Sequence, residues 1–325
     1  MKSNIKALLC AALLSTPMFA MNAQADNYPS RPITVTTPTA AGGGTDIVAR
    51  IVAEKIAPIL GQPIVINNKP GAGGVIGNQM MKREANDGYS LFLTANSNQL
   101  IAPWVYKNVN FDPINDYEPV ATVGFVPHVL VVHPSFPAHT FGEFVEEIKK
   151  NPGKYYYSSG GNGTINHLMA EMVAQRVGTK LEHIPYKAIS AALTDVMSGE
   201  VPMIFTTVNS AIEYIKSGKL RPLVAGSSER LTALPDVPTI KETYPDFFDT
   251  DMWVAVYAPK GTPRDRIDVV YQAIDKALAD PDLQDRFKTL GVRPGADGPD
   301  ELAKRQEYDY AQWEKIVKST GANAN

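Results

Sequence analysis

Cysteine is almost absent from the sequence: Cys10 is the single one among 325 residues. It lies in an N-terminal segment that we predict to be removed on export, so the mature chain would hold no thiol. Without thiols there is no disulfide, no catalytic cysteine and no Cys-ligated zinc or iron–sulfur site. The fold must therefore depend on a hydrophobic core, which about 300 residues are enough to build.

Hydrophobic runs of membrane-spanning length are absent too. The apolar run Ala7–Leu14 is shorter than the roughly 20 residues that a helix needs to cross a bilayer. It follows Lys2 and Lys6 and precedes Ala23-Gln24-Ala25, a small-x-small pattern typical of signal peptidase sites. The pattern predicts a signal peptide over residues 1–25, cleaved after Ala25, and a soluble mature protein in the periplasm. An uncleaved N-terminal anchor is the alternative, which the short apolar run disfavours.

Clusters of Lys and Arg are also missing. The formal net charge is −3, and it becomes −5 without residues 1–25, which contain Lys2 and Lys6 and no acid. The chain has neither a basic tail nor a basic patch, so nucleic acid is not predicted as a partner. Because an acidic protein repels anions, an anionic ligand would need donors placed locally in its site.

Residue patterns for metal, nucleotide or nucleophile chemistry are missing as well. No two of the five histidines are four residues apart, so no metal site is predicted. Gly71–Gly77 approaches a dinucleotide fingerprint, but its spacing is one residue too long, and we interpret it as a structural turn. Ser158 and Ser159 lack the Gly-x-Ser-x-Gly pattern of a hydrolase. We therefore predict no cofactor and no catalysis; a periplasmic hydrolase or isomerase is the weaker alternative, since it would need a nucleophile–base pair.

The sequence does contain a regular alternation of strand and helix patterns. A β-branched run, Ile33–Pro38, leads into glycines and then into a helical pattern from about Thr45 to Leu60. The alternation continues along the chain, which predicts an α/β fold with parallel sheets. Two α/β units of roughly 100–150 residues suit the chain length. No linker separates them, so we expect the chain to cross between lobes more than once, with a ligand cleft at the carboxyl ends of the strands.

The strongest local feature is a pair of matched glycine-rich turns between a strand and a helix. The first glycine loop is Thr37–Asp46 and the second glycine loop is Ser158–Thr164. Each would expose backbone amides at a helix N-terminus, where unpaired N–H groups and the helix dipole favour an anion. Neither ends in Gly-Lys-Ser/Thr, which disfavours nucleotide hydrolysis. Two such loops predict a ligand with one or two carboxylates; two ordinary strand–helix connections are the structural alternative.

Side chains beside these loops have two interpretations each. Asp46 is interpreted first as an acceptor for amides of its own loop, and second as a partner for a ligand ammonium. His167 is interpreted first as a packed or capping residue, and second as a donor to a ligand carboxylate. Most aromatic side chains belong to the core, but one or two near the expected cleft are candidates for its wall. The candidates are Phe125, Tyr155, Phe205 and Trp253.

Several motifs together resemble one known family. They are Tyr28-Pro29-x-Arg31-Pro32-Ile33, Ala41–Arg50, Leu60–Pro63, Pro70–Gly74, Asp87–Tyr89, Ser159–Leu168, Pro235–Thr239 and Ala258–Pro263. With these motifs spread over the whole mature chain, the sequence resembles the Bug-type (TctC-like) extracytoplasmic solute-binding receptors of tripartite tricarboxylate transporters. Two positions depart from the family pattern: Pro202 stands where relatives commonly carry aspartate, and Thr39 where an aromatic residue or a serine–proline pair is frequent. Both leave the ligand's identity open.

The resemblance implies a type II-like, two-lobed periplasmic binding protein with a hinged cleft. We assign residues 26–127 and 249–325 to lobe 1 and residues 128–248 to lobe 2. Such receptors hold a carboxylate through backbone amides, hydroxyls and ordered waters, and deliver it to integral membrane permease subunits. The implied ligand is a small organic mono- or dicarboxylate, aromatic acids included, and the receptor is expected to be a monomer. A sensor that presents its ligand-bound form to a membrane signalling protein is the alternative role.

Carried over residue by residue, the resemblance implies ligand contacts from both loops and from two polar strand ends. No catalytic, cofactor-binding or metal-binding residue is expected. The implied ligand-binding residues are Thr39, Ala40, Ala41, Gly42, Gly43, Asp46, Ala95, Asn96, Ser97, Ser158, Ser159, Gly163, Thr164, His167, Thr206, Thr207 and Asn209.

Overall fold

The computed structural model of the protein describes residues 27–186, 188–295 and 297–322. The predicted signal peptide, with its cleavage site after Ala25, lies outside these residues. Strands alternate with helices over most of the described chain. The strands are β1 (Ile33–Thr37), β2 (Ile64–Asn68), β3 (Ser90–Ala95), β4 (Tyr117–Val126), β5 (His128–Val132), β6 (Tyr156–Ser159), β7 (Glu182–Pro185), β8 (Met203–Thr207), β9 (Arg221–Ala225), β10 (Met252–Pro259) and β11 (Arg293–Pro294).

The helices account for the long periodic patterns of the sequence. Among those that the structure describes, none combines the length and hydrophobicity that crossing a bilayer requires. A 3-10 turn at Ala72–Gly74 and a π-helical segment at Ser97–Ile101 follow β2 and β3. The α-helices are α1 (Gly44–Leu60), α2 (Val75–Met81), α3 (Ala102–Val105), α4 (Phe141–Lys150), α5 (Ile165–Val177), α6 (Ile189–Ser198), α7 (Val208–Lys216), α8 (Ile240–Thr243), α9 (Arg264–Leu278), α10 (Pro281–Thr289) and α11 (Pro299–Thr320).

The strands form two mixed sheets, with the orders β11-β4-β10-β3-β1-β2 and β7-β6-β8-β5-β9. β1 is parallel to β2 and β3, and β6 is parallel to β7 and β8. In contrast, β10 is antiparallel to β3 and β4, and β5 is antiparallel to β8 and β9. The expectation of parallel sheets is therefore wrong for these strands. Parallel pairing needs a crossover within one sheet, whereas β5 and β10 enter directly from the other sheet.

Amphipathic helices cover the sheets, as the periodicity predicts. α1 buries Val48, Ile51, Val52 and Ile56 on one face and ends at Gly61, which adopts the left-handed conformation. Because glycine has no Cβ, it tolerates this conformation and stops the helix without strain. The larger hydrophobic cluster contains residues from both sheets, and a smaller one covers the other face of the second sheet. Packing therefore fixes where each strand delivers the loop that follows it.

The chain passes between the sheets twice. β4 ends at Val126 in the first sheet, and after Pro127 the chain begins β5 at His128 in the second sheet. It returns between Ala225, at the end of β9, and Met252, at the start of β10. The architecture is thus α/β with two lobes, each built on one sheet, as expected. The lobe limits assigned after residues 127 and 248 stay a prediction.

Candidate functional site

A cavity of about 230 Å³ lies where loops from the two sheets meet. Its lining comes from the ends of β1, β3, β6, β7 and β8 and from the start of β5 and β10. Among the described residues that line it, none is Lys, Arg, Asp or Glu. The lining residues are Thr39, Gly44, Thr45, Gly73, Ser97, Asn98, Ala102, Tyr106, His128, Asn162, Gly163, Thr164, Ile165, Asn166, Ile189, Thr206, Thr207, Ser210 and Met252.

Four helices begin at this cavity. The first turns of α1, α5, α6 and α7 contribute Gly44, Ile165, Ile189 and Ser210 to its lining. Within the described residues, no side chain caps the N-terminus of any of these four helices. Away from the cavity, α4, α8 and α10 each have a side-chain cap, whereas α9 and α11 have none. The uncapped amides at the cavity are therefore available to an anionic oxygen, and each helix end adds about half a positive charge.

Acidic side chains are also distributed unevenly among the helix starts. α5, α6 and α7 carry no Asp or Glu in their first turn, whereas α4, α9, α10 and α11 each carry at least one. A carboxylate in the first turn would compete with an anionic ligand for the same helix dipole. α1 is the exception, because Asp46 lies in its first turn. That carboxylate is buried and faces its own loop instead of the cavity.

Asp46 holds the first glycine loop from behind. Its carboxylate accepts the N–H of Gly42 at 2.8 Å, the Nε–H of Arg50 at 2.9 Å and an amide hydrogen of Asn68 at 2.8 Å. Asn68 also donates to the carbonyl of Thr39 at 3.0 Å. Burial raises the pKa of Asp46, but the hydrogen bonds from Arg50, Asn68 and Gly42 outweigh it and lower the pKa below its usual value. The charge of Asp46 is thus compensated within the loop.

His167 holds the second glycine loop in the same way. Its Nδ1 accepts the N–H of Gly163 at 3.0 Å, and only 7% of the side chain is exposed. Its ring stacks on that of His183, with 4.0 Å between centroids and 5° between planes. Burial lowers the pKa of His167 to about 4, so the ring is neutral at pH 7. A neutral ring that accepts at Nδ1 carries its proton on Nε2.

Two buried polar side chains at the cavity have no hydrogen-bond partner among the described residues. They are His128, at both ring nitrogens, and Thr206, at its hydroxyl. Burial lowers the pKa of His128 to about 3, which keeps its imidazole neutral. Leaving a buried polar atom unpaired costs about 1–3 kcal/mol. Both side chains are therefore candidates to form a hydrogen bond with a polar ligand that enters the cavity.

The two lobes touch through glycines on both sides of the cavity. Gly163 has φ +72°, and a Cβ built there would overlap the side chain of Val105 in α3. On the other side, a Cβ built on Gly44 would lie 3.4 Å from the Nδ2 atom of Asn209. The absence of side chains at these positions therefore lets loops from the two sheets approach within contact distance.

A second and larger cavity, of about 860 Å³, has the opposite chemical character. Burial and the neighbouring Asp249 raise the pKa of Asp251 in this cavity to about 7, and burial raises that of Asp309 to about 6. These raised values show that its carboxylates are poorly compensated, which makes it a poor site for an anion. Its charged lining residues are Lys241, Asp246, Asp249, Asp251, Arg293, Asp297, Glu301, Lys304, Arg305 and Asp309.

The cavity brings together six of the predicted ligand-binding residues: Thr39, Ser97, Gly163, Thr164, Thr206 and Thr207. The others lie beside or behind the lining. Asp46 and His167 hold their loops, Asn96 donates to the carbonyl of Asp251, and Ser158 donates weakly to the carbonyl of Ala192. The remaining predicted residues do not line the cavity of the described chain; they are Ala40, Ala41, Gly42, Gly43, Ala95, Ser159 and Asn209.

Sequence reasoning missed several lining residues. None of the four aromatic candidates, Phe125, Tyr155, Phe205 and Trp253, contributes to this cavity in the described residues; Tyr106 does. Tyr106 packs against Gly73, where a Cβ would lie 2.5 Å from its ring. Helix starts could have revealed Gly44, Asn166 and Ser210, because each is in a first turn behind a predicted strand. Ile189 and Met252 had no local signal, since only the fold brings them to the cavity.

Comparison with known proteins identifies the family. The sequence profile of the tripartite tricarboxylate transporter family receptor (TctC) matches residues 48–322. The structure of the periplasmic binding protein BugD is 34% identical, with a TM-score of 0.79 over 91% of this chain and 99% of that one. Rpa4515 of R. palustris with adipate is 27% identical, with a TM-score of 0.82 over 91% and 99%. MatC of Rhodopseudomonas palustris with bound malate is 28% identical, with a TM-score of 0.78 over 89% and 100%. The chain therefore belongs to the tripartite tricarboxylate transporter receptor family, and it is a Bug/TctC-type receptor, as its motifs indicated.

Proposed function

We propose that this protein is a periplasmic receptor that binds a small organic carboxylate in the cavity between its lobes. It would deliver the ligand unchanged to the membrane subunits of a tripartite tricarboxylate transporter. The observation that carries the proposal is the convergence of four uncapped helix N-termini on a cavity whose described lining residues include no charged side chain. Backbone amides and hydroxyls at helix starts bind carboxylates without a basic residue.

The ligand class follows from the lining and from the relatives. Hydroxyls of Thr39, Ser97 and Ser210 and the first-turn amides supply donors at several points of the cavity. A dicarboxylate could use donors on both lobes at once, and two related structures contain adipate and malate. Among the lining residues that the structure describes, no carboxylate could pair with an ammonium, which disfavours amino acids. Malate and adipate are thus the first ligands to test, followed by monocarboxylates and aromatic acids.

The receptor would close around its ligand by a hinge at the two chain crossings. Pro127 and the residues between Ala225 and Met252 are the segments that pass between the sheets. Closure brings the donors of α1 in one lobe and of α5, α6 and α7 in the other onto one ligand. Such closure excludes water and strengthens each hydrogen bond to the anion.

Calorimetry with a panel of carboxylates tests the proposal. Saturable binding is expected for at least one, together with a thermal stabilisation of about 2.7 kcal/mol at one hundred times Kd. The bound acid should be recovered unchanged. Absence of binding across malate, adipate, citrate, succinate and benzoate, or turnover of any of them, would contradict the proposal.

A charge placed at α7 tests whether the helix starts bind the anion. Ser210→Asp puts a carboxylate in the first turn of α7, where Ser210 lines the cavity. Two like charges about 4 Å apart near a protein surface repel by about 4 kcal/mol, so the affinity should fall by about 1000-fold. Ser210→Asn is the matched control, because asparagine is neutral and has nearly the same size as aspartate. It should bind within about tenfold of the unmodified protein. Equal affinities for the two variants would refute anion binding at α7.

A further inference from the structure

The ring of His183 lies behind the second glycine loop, on β7, and does not line the cavity of the described chain. It is the middle ring of an aromatic stack: His167 packs on it at 4.0 Å and Tyr157 at 4.9 Å between centroids. β7 is the edge strand of the second sheet and pairs with β6, which leads directly into the loop. His183 therefore contacts the loop from a neighbouring strand and is not among the described residues that line the cavity.

His183 also reaches the loop by a hydrogen bond. Its Nε2 lies 2.6 Å from the hydroxyl oxygen of Ser159. That hydroxyl accepts the N–H of Gly161 at 3.0 Å and lies 3.2 Å from the carbonyl oxygen of Gly161. With the proton of His183 on Nε2, all three contacts are satisfied: the hydroxyl accepts from His183 and from Gly161 N–H and donates to Gly161 C=O. His183 thus orients Ser159, and Ser159 fixes the backbone of Gly161.

The ring of His183 also affects a second contact with the loop, the hydrogen bond from Gly163 to His167. His167 must present Nδ1 towards Gly163, because its acceptance of the Gly163 N–H holds that residue at φ +72°. A parallel ring 4.0 Å away restricts rotation of the His167 ring. Thr164 completes the loop by donating to the carbonyl of Gly161 at 2.7 Å. Both turning glycines, Gly161 and Gly163, therefore depend on His183, the first through Ser159 and the second through His167.

We propose that His183 is a positioning residue of the carboxylate site. It acts through Ser159 and His167 to hold the second glycine loop in the shape that points the first-turn amides of α5 into the cavity. The role of His183 rests on the proposed function in one respect: the second glycine loop must bind a carboxylate. A preorganised loop binds more tightly because less conformational freedom is lost on binding.

Two substitutions separate the two contacts of His183. His183→Phe keeps a flat ring for the stack and removes the nitrogen that meets Ser159. His183→Ala removes both. His139→Phe is the control, because His139 is exposed and lies away from both loops. Heteronuclear NMR of the imidazole nitrogens reports the tautomer and titration of His167 without any ligand, and calorimetry with malate and adipate reports affinity.

The expected results are distinct for each variant. In the unmodified protein, His167 carries its proton on Nε2 and titrates at a pKa of about 4, a value due to burial. In His183→Ala its pKa should move up towards about 6.5, the value of a solvated imidazole. His183→Phe should leave the pKa of His167 low and weaken carboxylate binding by about tenfold, the effect of losing one orienting hydrogen bond. Ser159→Ala should weaken binding equally and add nothing to His183→Phe.

The proposal is overturned if both His183 variants bind as tightly as the control, or if His167 titrates identically in His183→Ala. Failure of malate and adipate to bind the unmodified protein would count against the proposed function. In that case the titration and tautomer of His167 still decide whether His183 positions the loop.

Discussion

The first and second glycine loops share one geometry but hold it with different side chains. In each, a glycine with positive φ, Gly42 or Gly163, lies two residues before the helix begins. Its N–H is accepted by the side chain of the third helical residue, which is Asp46 in one loop and His167 in the other. The acceptor is charged in the first loop and neutral in the second.

The two acceptors differ in the groups that lie beside them and in whether those groups neutralise a charge. Asp46 has a guanidinium, that of Arg50, at 2.9 Å, while His167 has the ring of His183 and no cation in the contacts of the described chain. The one carboxylate at a helix start beside the proposed site is thus neutralised by a cation, and the other loop uses a neutral acceptor. Each loop has a hydrogen-bond acceptor at the third helical residue. Whether that acceptor is charged depends on the groups around it.

Among changes to the two glycine loops, the largest expected effect comes from adding one methyl group to the second loop. Gly163→Ala would overlap Val105 across the cleft, so the lobes could not approach and carboxylate affinity should fall by at least about 100-fold. Gly178→Ala is a matched control, because Gly178 has nearly the same φ, +73°, with no atom near its Cβ position. Both variants carry the same backbone strain, of about 1–2 kcal/mol. Calorimetry and scattering measure affinity and closure, and equal affinities in the two variants would disprove closure through this contact.

Exchanging the acceptor types gives a smaller effect. His167→Asp gives the second loop the carboxylate of the first loop without its arginine. Its uncompensated charge, behind the loop amides, should weaken carboxylate binding by about 30-fold, or about 2 kcal/mol. His167→Asn supplies a neutral acceptor and should bind within about threefold of the unmodified protein. If the two variants bind equally, charge compensation is not what distinguishes the loops.

The smallest expected effect is a difference in the pH windows over which the loops stabilise the fold. The pKa of folded His167 is about 4, below its ordinary value, so between pH 6.5 and 4 the unfolded chain binds a proton that the folded chain does not. Stability contributed by the second loop is therefore lost as pH falls through that window, by up to about 1.4 kcal/mol per pH unit, which is 2.303RT for one proton. The pKa of Asp46 is lowered, so the first loop loses stability only below about pH 4.

Urea unfolding across pH checks both windows. His167→Asn should reduce the loss between pH 6.5 and 4, part of which comes from His183 and His128, whose pKa values burial lowers to about 4 and about 3. Asp46→Asn should reduce only the loss at lower pH. An unchanged slope in His167→Asn would mean that other groups cause the acid sensitivity. Asp251 and Asp309, whose burial raises their pKa to about 7 and about 6, act in the opposite direction in the same range. Comparison with the unmodified protein cancels their contribution.

Local sequence signals predicted the two loops but only part of the cavity. Glycines before a helical pattern mark both loops without any tertiary information, and the family motifs marked Asp46 and His167. Their first interpretations, as loop acceptor and as capping residue, match the observed hydrogen bonds. Tyr106, Ile189 and Met252 could not be predicted, because they meet only when the two sheets pack.

The fold was predicted where strand and helix alternate, and it was missed at the crossings. β4 contains Pro119 and Gly124, which weaken a strand pattern, so its ten residues were not recognised. Its position between β10 and β11 restores the pairing that local propensity does not favour. The apolar runs of β5 and β10 predict strands correctly, but their antiparallel direction depends on the path between lobes and has no local signature.

The neutral character of the described cavity lining bears on how long a ligand would stay. In the part of the chain that the structure describes, every donor facing the cavity is neutral. Water can replace neutral amides and hydroxyls one at a time, so a bound anion is released through several small barriers instead of one large barrier. Residence time is then controlled by how often the lobes separate, since affinity differences among related complexes arise mostly in dissociation. Contact between Gly163 and Val105 would thus set the rate of delivery as well as the affinity.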